Sequence, residues 1–172
     1  MKRALVLARK GAGWVSPNPM VGAVIVKNGQ IIAEGWHRCY GEAHAEINAI
    51  RAAKVPFKDA TLYVTLEPCH HQGKTPPCVE SVIAAQFGRV VIGMVDPNPL
   101  VAGKSIAALR AHGIAASVGV LENDCRELNE TFVKFMETGM PYVTVKFAQT
   151  LDGRIATVTG HSQWISGEKS RR

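Results

Sequence analysis

Three residues of this chain have the types and spacing of metal ligands, and a fourth beside them can move protons. His44 and Glu46 form an H-x-E pair inside AHAEINAIRAA. Pro68-Cys69 follows about twenty residues later, and Cys78 comes just after Pro76-Pro77 in the stretch EPCHHQGKTPPC. One imidazole and two thiolates form a donor set for zinc that leaves the fourth tetrahedral position open to water. Water held there has its pKa lowered from about 15.7 towards about 7. Glu46, a carboxylate outside the ligand set, then suits proton transfer: it takes a proton from the water and delivers one to a leaving group. The prolines ahead of Cys78 open a helix, and the partial positive charge at a helix start favours the thiolate that a metal binds.

H-x-E alone recurs by chance in helices; P-C, an intervening strand and a second cysteine at a helix start make the pattern specific. Two plainer readings compete with it. In one, His44 and Glu46 lie on a solvated helix face and the cysteines are core thiols. In the other, His70 or His71 closes a structural zinc site, which has no use for a carboxylate beside its metal. Cys39 and Cys125 have no comparable partners; Cys125 reads as a buried thiol on a helix. His112 sits beside a helix-ending glycine and reads as a C-terminal cap, while His161 lies far down the tail.

Several elements must position these residues. KRALVLARKG has apolar residues at helical spacing and a closing glycine. VGAVIVKNGQIIAEGW is a hairpin, two β-branched runs around Asn28-Gly29. AHAEINAIRAA is helical, ATLYVTLE a strand and PPCVESVIAAQF a helix. RVVIGMV is a buried strand, DPNPLVAG a loop, KSIAALRAHG a helix and IAASVGV a strand. LENDCRELNETFVKFMETG reads as one longer amphipathic helix. A hairpin followed by alternating strands and helices predicts a layered α/β domain with one mixed sheet. Near Met140-Pro141 the rhythm resets: PYVTVKFAQTLDGRIA reads as a fresh strand with a turn at Asp152-Gly153.

Bulk properties are permissive. The 172 residues suit one compact domain and part of a second. Apolar residues make up 47% and charged residues 20%, as in ordinary globular proteins, and no run approaches a membrane span. The N-terminus reads as an amphipathic helix rather than a signal peptide, so a cytoplasmic location is expected. Four cysteines do not make a disulfide framework; clustered with histidine they point to a metal or to catalysis. The net charge of +6 helps an anionic substrate approach without identifying it.

The zinc-dependent base deaminases combine H-x-E with P-C in this way. SPNPMVGAVIV, GEAHAEINAI, YVTLEPCHHQGKTPPC, DPNPLVAGKSIAALRAHGI and ELNETFVKFMETGMPYVTVKFAQTLDGRIA together resemble the bifunctional riboflavin-biosynthesis deaminase/reductase family over nearly the whole chain. The resemblance implies a three-layer cytidine-deaminase-like domain over residues 1–140, with a mixed five-stranded sheet flanked by helices. It implies that residues 141–172 begin a dihydrofolate-reductase-like domain. The implied reaction is hydrolysis of 2,5-diamino-6-(5-phosphoribosylamino)pyrimidin-4(3H)-one to 5-amino-6-(5-phosphoribosylamino)uracil and ammonia. One zinc per chain is held by His44, Cys69 and Cys78, with Glu46 as the catalytic proton shuttle.

The resemblance also assigns substrate contacts to Asn18, His37, Lys74 and Asn98. Asn18, between two prolines, is placed to read a pyrimidine edge, and Lys74 to meet the ribose phosphate. The bland alternatives are a turn asparagine, a strand-ending histidine, a solvated lysine and a second turn asparagine. Position 70 is usually small or polar in the family and is histidine here, whereas His71 matches it. NADPH belongs to the full-length reductase, which needs on the order of 150 further residues; no reductase activity is expected of this chain, and residues 141–172 are expected to be poorly ordered or paired with another subunit. A homo-oligomer, dimer or larger, is expected, with no nucleic acid and no membrane as partner. A tRNA-adenosine-type editing deaminase is the main alternative. Editors close the cysteine pair as C-x-x-C, whereas six more residues separate Cys69 from Cys78, and aromatics for base stacking are only 6%.

Overall fold

A computed structural model of the chain describes residues 1–71 and 76–171. The chain divides into two units, Met1–Pro141 and Tyr142–Arg172.

The first unit is built on the hairpin. Strand β1 (Gly22–Lys27) runs antiparallel to β2 (Gln30–Trp36), with a register shift at Ile25/Val26. Asn28 and Gly29 have φ of 50° and 75°, the two positive values that a tight I′ turn needs. On its other side β1 pairs antiparallel with β3 (Thr61–Leu66). Beyond it, β4 (Arg89–Met94) and β5 (Ala115–Val118) add in parallel, giving the order β2-β1-β3-β4-β5. Parallel neighbours need crossovers. Helix α3 (Cys78–Ala84) supplies the first and α4 (Lys104–Ala111) the second. His112 ends α4, its Nδ1–H donating to the Ala108 carbonyl at 2.9 Å.

Alternation along the strands sorts the helices into layers. Ala23 and Ile25, Leu62 and Val64, and Val90 and Ile92 are buried in the main core with α2 (Ala45–Ala52), α3 and α4. Val24, between two of these, packs with Ala4 and Leu7 of α1 (Lys2–Ala8). Helix α5 (Glu122–Leu128) lies against both β4 and α1. The result is a mixed five-stranded sheet between helix layers, as expected. Gly35 sets the closeness of β2 to α2: a Cβ there would stand 2.3 Å from Ala49 N and 2.4 Å from the Ala45 carbonyl.

Three local expectations change. The first helix stops at Ala8 and tightens into a 3-10 turn over Arg9–Gly11. The long helix is two helices, α5 and α6 (Glu130–Thr138), broken at Asn129 (φ −115°, ψ 26°). The buried Asn129 amide accepts the Met20 N–H at 2.8 Å and donates to the Met20 carbonyl at 2.9 Å. That side chain holds a distant loop as a neighbouring strand would, at the expense of helical continuity. The strand expected from residue 141 does not form among the described residues. The second unit carries instead a turn closed by Thr150 N–H to the Arg154 carbonyl, a second at Thr157–His161, and the short α7 (Glu168–Arg171). No helix of the described residues is long and apolar enough to cross a membrane.

Candidate active site

The three ligand types converge at the carboxyl ends of the parallel strands, the usual place for a site in an open α/β sheet. His44 is the N-cap of α2 and Glu46 lies in that helix's first turn. Cys69 stands just beyond the end of β3, and Cys78 is the first residue of α3, which packs beside α2. His44 Nδ1 is 3.2 Å from Cys78 Sγ and 3.5 Å from Cys69 Sγ, and all three ligand atoms lie within 4.8 Å of one another. Zinc bonds of about 2.3 Å to sulfur and about 2.0 Å to nitrogen put nitrogen and sulfur about 3.5 Å apart at a tetrahedral angle. The donor set therefore fits the ion. His70 and His71 are exposed and outside this cluster, so among the described residues no fourth protein ligand closes the site.

Backbone and charge prepare the thiols. The Cys78 N–H, at the start of α3, donates to Cys69 Sγ at 3.2 Å, and the Val79 N–H donates to the Cys69 carbonyl at 3.2 Å. The Cys69 thiol is pulled down to about 4, first by the hydrogen bond from the Cys78 side chain and then by His44. Cys78 is pushed up by the same bond and by burial, so between them they hold one thiolate that a cation would stabilise further. The hydrogen bond with Cys69 raises His44. Glu46 is 3% exposed, and burial, reinforced by the charge of Cys69, raises its carboxyl to about 7. A carboxyl poised there exchanges protons readily near neutral pH.

These groups open into a cleft of about 480 Å³, within the range of small-molecule sites. Asn18, His37 and Asn98 all line it, each in a different way. His37 is 2% exposed and pushed down by burial. Its Nδ1–H donates to the Ala43 carbonyl at 3.3 Å, which makes Nε2 the acceptor for the Asn18 amide N–H at 3.1 Å. His37 thus orients Asn18 and leaves the Asn18 carbonyl oxygen as the group able to accept from a ligand. Asn98 shapes its own turn: its side-chain oxygen accepts the Leu100 N–H at 3.0 Å, and its N–H donates to Asp96 at 2.8 Å. Lys74 lies outside the described residues.

Sequence reasoning missed other contributors. Asp96 lines the cleft and is pushed up to about 6 by burial. Phe132, Phe135 and Met136 of α6 give it an apolar wall; their helical spacing was visible, but not the surface they face. Asn48 of α2 donates to the Trp36 and Ala43 carbonyls at 2.9 and 3.0 Å, fixing the approach to His44. A mid-helix asparagine carries no such signal in sequence.

Comparison with known proteins agrees with this geometry. Residues 1–94 match the cytidine and deoxycytidylate deaminase zinc-binding region, and residues 141–172 match the RibD C-terminal domain. The riboflavin biosynthesis protein RibD of Aquifex aeolicus is 51% identical over 172 residues, covering 100% of this chain and 48% of the relative. The solved structure of Acinetobacter baumannii RibD superposes with a TM-score of 0.94 at 49% identity, covering 99% of this chain and 48% of that one. A deaminase/reductase of Thermotoga maritima, named for diaminohydroxyphosphoribosylaminopyrimidine and 5-amino-6-(5-phosphoribosylamino)uracil, gives 0.91 at 49% identity over 97% of this chain and 48% of its own. The chain spans about half the length of the curated relatives it matches. It belongs to the cytidine and deoxycytidylate deaminase zinc-binding family, and resembles the riboflavin-biosynthesis deaminase/reductases over its whole length.

Proposed function

We propose that this chain catalyses hydrolytic deamination of 2,5-diamino-6-(5-phosphoribosylamino)pyrimidin-4(3H)-one. The observation that carries the reading is the buried Glu46 carboxyl beside a three-ligand cluster that lacks a fourth protein ligand among the described residues. Similarity to riboflavin-biosynthesis proteins supports the choice of substrate. His44, Cys69 and Cys78 would hold a zinc ion, which would supply Lewis acidity that lowers the pKa of water at the site. Glu46 accepts a proton from the attacking water and returns it to the departing nitrogen; a C–O bond forms, the C–N bond breaks, and ammonia leaves. The Asn18 side-chain oxygen accepts from an N–H of the ring, with His37 holding it in place. Phe132 and Phe135 exclude water from the apolar side of the ring. Lys74 pairs with the ribose phosphate in this reading, and Asn98, which lines the cleft, contacts the substrate.

Residues 1–140 form the deaminase domain in this reading, and residues 141–172 begin a reductase domain in which NADPH would bind. The match of residues 141–172 to the RibD C-terminal domain supports the division. The setting is cytoplasmic and the working form a homo-oligomer. The test is ammonia release from the diaminopyrimidine phosphate beside dCMP and an adenosine-bearing tRNA anticodon stem. Release from the first substrate alone supports the proposal; turnover confined to either of the others overturns it.

A further inference from the structure

Glu67 is 2% exposed, and its carboxylate is surrounded by backbone donors from two other segments. Oε2 accepts N–H groups of Asp96 at 3.3 Å and Gly103 at 2.9 Å. Oε1 accepts those of Ser105 at 3.0 Å and Ile106 at 3.4 Å. Three of these four donors belong to the start of α4, whose N-cap is Gly103, a residue with no side chain to cap with. The first N–H groups of a helix lack intrahelical partners and are costly to bury unpaired. Ser105 is fully buried, so a remote carboxylate does what a local serine or aspartate does elsewhere, with the helix dipole favouring its charge. A second bond runs beside it: Ser105 Oγ donates to the Pro68 carbonyl at 2.6 Å.

The consequence lies two residues on. Glu67 and Pro68 lead directly into Cys69, and Asp96 leads into Asn98 on the cleft wall. One carboxylate therefore ties together the arm carrying a metal ligand, the wall beside it and the start of α4. We infer that Glu67 is a positioning residue that sets the reach of Cys69 towards His44 and Cys78, and so the metal affinity of the site. The inference rests on the zinc reading above. Only an acceptor-only group satisfies four donors; a glutamine amide would turn N–H groups onto two of them.

The test is zinc affinity by chelator competition, with the absorption spectrum of the cobalt(II)-loaded protein, on the full chain and on Glu67→Gln. The expected result is zinc binding about tenfold weaker or more, as for other groups that orient ligands, with a shifted cobalt spectrum. Wild-type affinity and spectrum in a folded Glu67→Gln whose Tm alone has fallen overturns the inference, because the carboxylate would then only hold the fold. Should Glu67→Gln fail to fold, Glu67→Asp decides. It keeps an acceptor-only carboxylate but draws it back by one methylene from the four N–H groups. Zinc binding should weaken and the cobalt spectrum shift; unchanged binding and spectrum overturn the inference. A wild-type chain that takes up no zinc overturns the metal reading itself, and this inference with it.

Discussion

The two units of the chain contain similar strand-like sequence and end differently. GAVIVK in the first unit and YVTVKFA in the second both alternate or cluster β-branched and aromatic residues. In the first, the run becomes β1, hydrogen-bonded on both sides, and Ile25 is fully buried. In the second, no strand forms among the described residues; Val143 and Val145 are 72% and 75% exposed, and Leu151 and Val158 are wholly exposed. Strand propensity measures how well a residue suits a pleated, half-buried surface, and it is realised only where neighbours provide that surface. The first unit has its neighbours within residues 1–141, and it contains all the ligand types of the site.

Four changes sharpen this contrast or break it. The largest effect is expected from Cys78→Ser. Zinc measured by mass spectrometry of the purified protein should fall from about one per chain to near zero, since three protein ligands leave no spare. Retention of full zinc would move the metal elsewhere. Next comes Gly35→Ala, where the new methyl meets the backbone of α2. Urea denaturation should show a loss of about 3 kcal/mol, at the upper end for overpacking; no loss would mean that α2 is free to shift.

A smaller, pH-dependent effect is expected at Asp96. Its carboxyl is raised by burial to about 6, so the folded state prefers the protonated form. The stability it contributes is fully present below the unfolded value of about 3.9 and is lost as pH rises through about 6. Asp96→Asn keeps an acceptor for the Asn98 N–H and removes the titration. The variant should gain up to about 2 kcal/mol on the wild type between pH 4 and pH 7.5. Parallel pH profiles for the two proteins would contradict the assignment. The smallest effect belongs to the second unit: Val158→Ala should change stability by less than about 0.5 kcal/mol, as at other exposed positions. A loss several times larger would show that the second unit supports the first, and the contrast would fail.

Much of the first unit could be read from local rules. Asn28-Gly29 needs only its own backbone preferences, and the alternation in the strands needs only the existence of a core. His44, Glu46, Cys69 and Cys78 stood out because metal chemistry demands particular atoms. What escaped depends on partners distant in sequence. Asn129 looks like any helix asparagine until Met20 lies beside it. Glu67 looks like the end of a strand until α4 presents donors without a local cap. His37 is expected as a substrate contact from the family resemblance, and it lines the cleft, but its burial and its bond to Asn18 depend on a partner nineteen residues away and show only in the fold. The strand expected after Met140 failed for the converse reason, a correct pattern without a neighbour among the described residues.

The central claim is that Glu46 moves the proton while His44, Cys69 and Cys78 hold the metal. Glu46→Gln isolates it, because the amide keeps the shape and loses the proton exchange. Zinc content and ammonia release should be measured together on wild type and variant. The account predicts about one zinc per chain in both and ammonia release lowered by about 10²- to 10⁴-fold in the variant. A variant that holds its zinc and releases ammonia at the wild-type rate would contradict it.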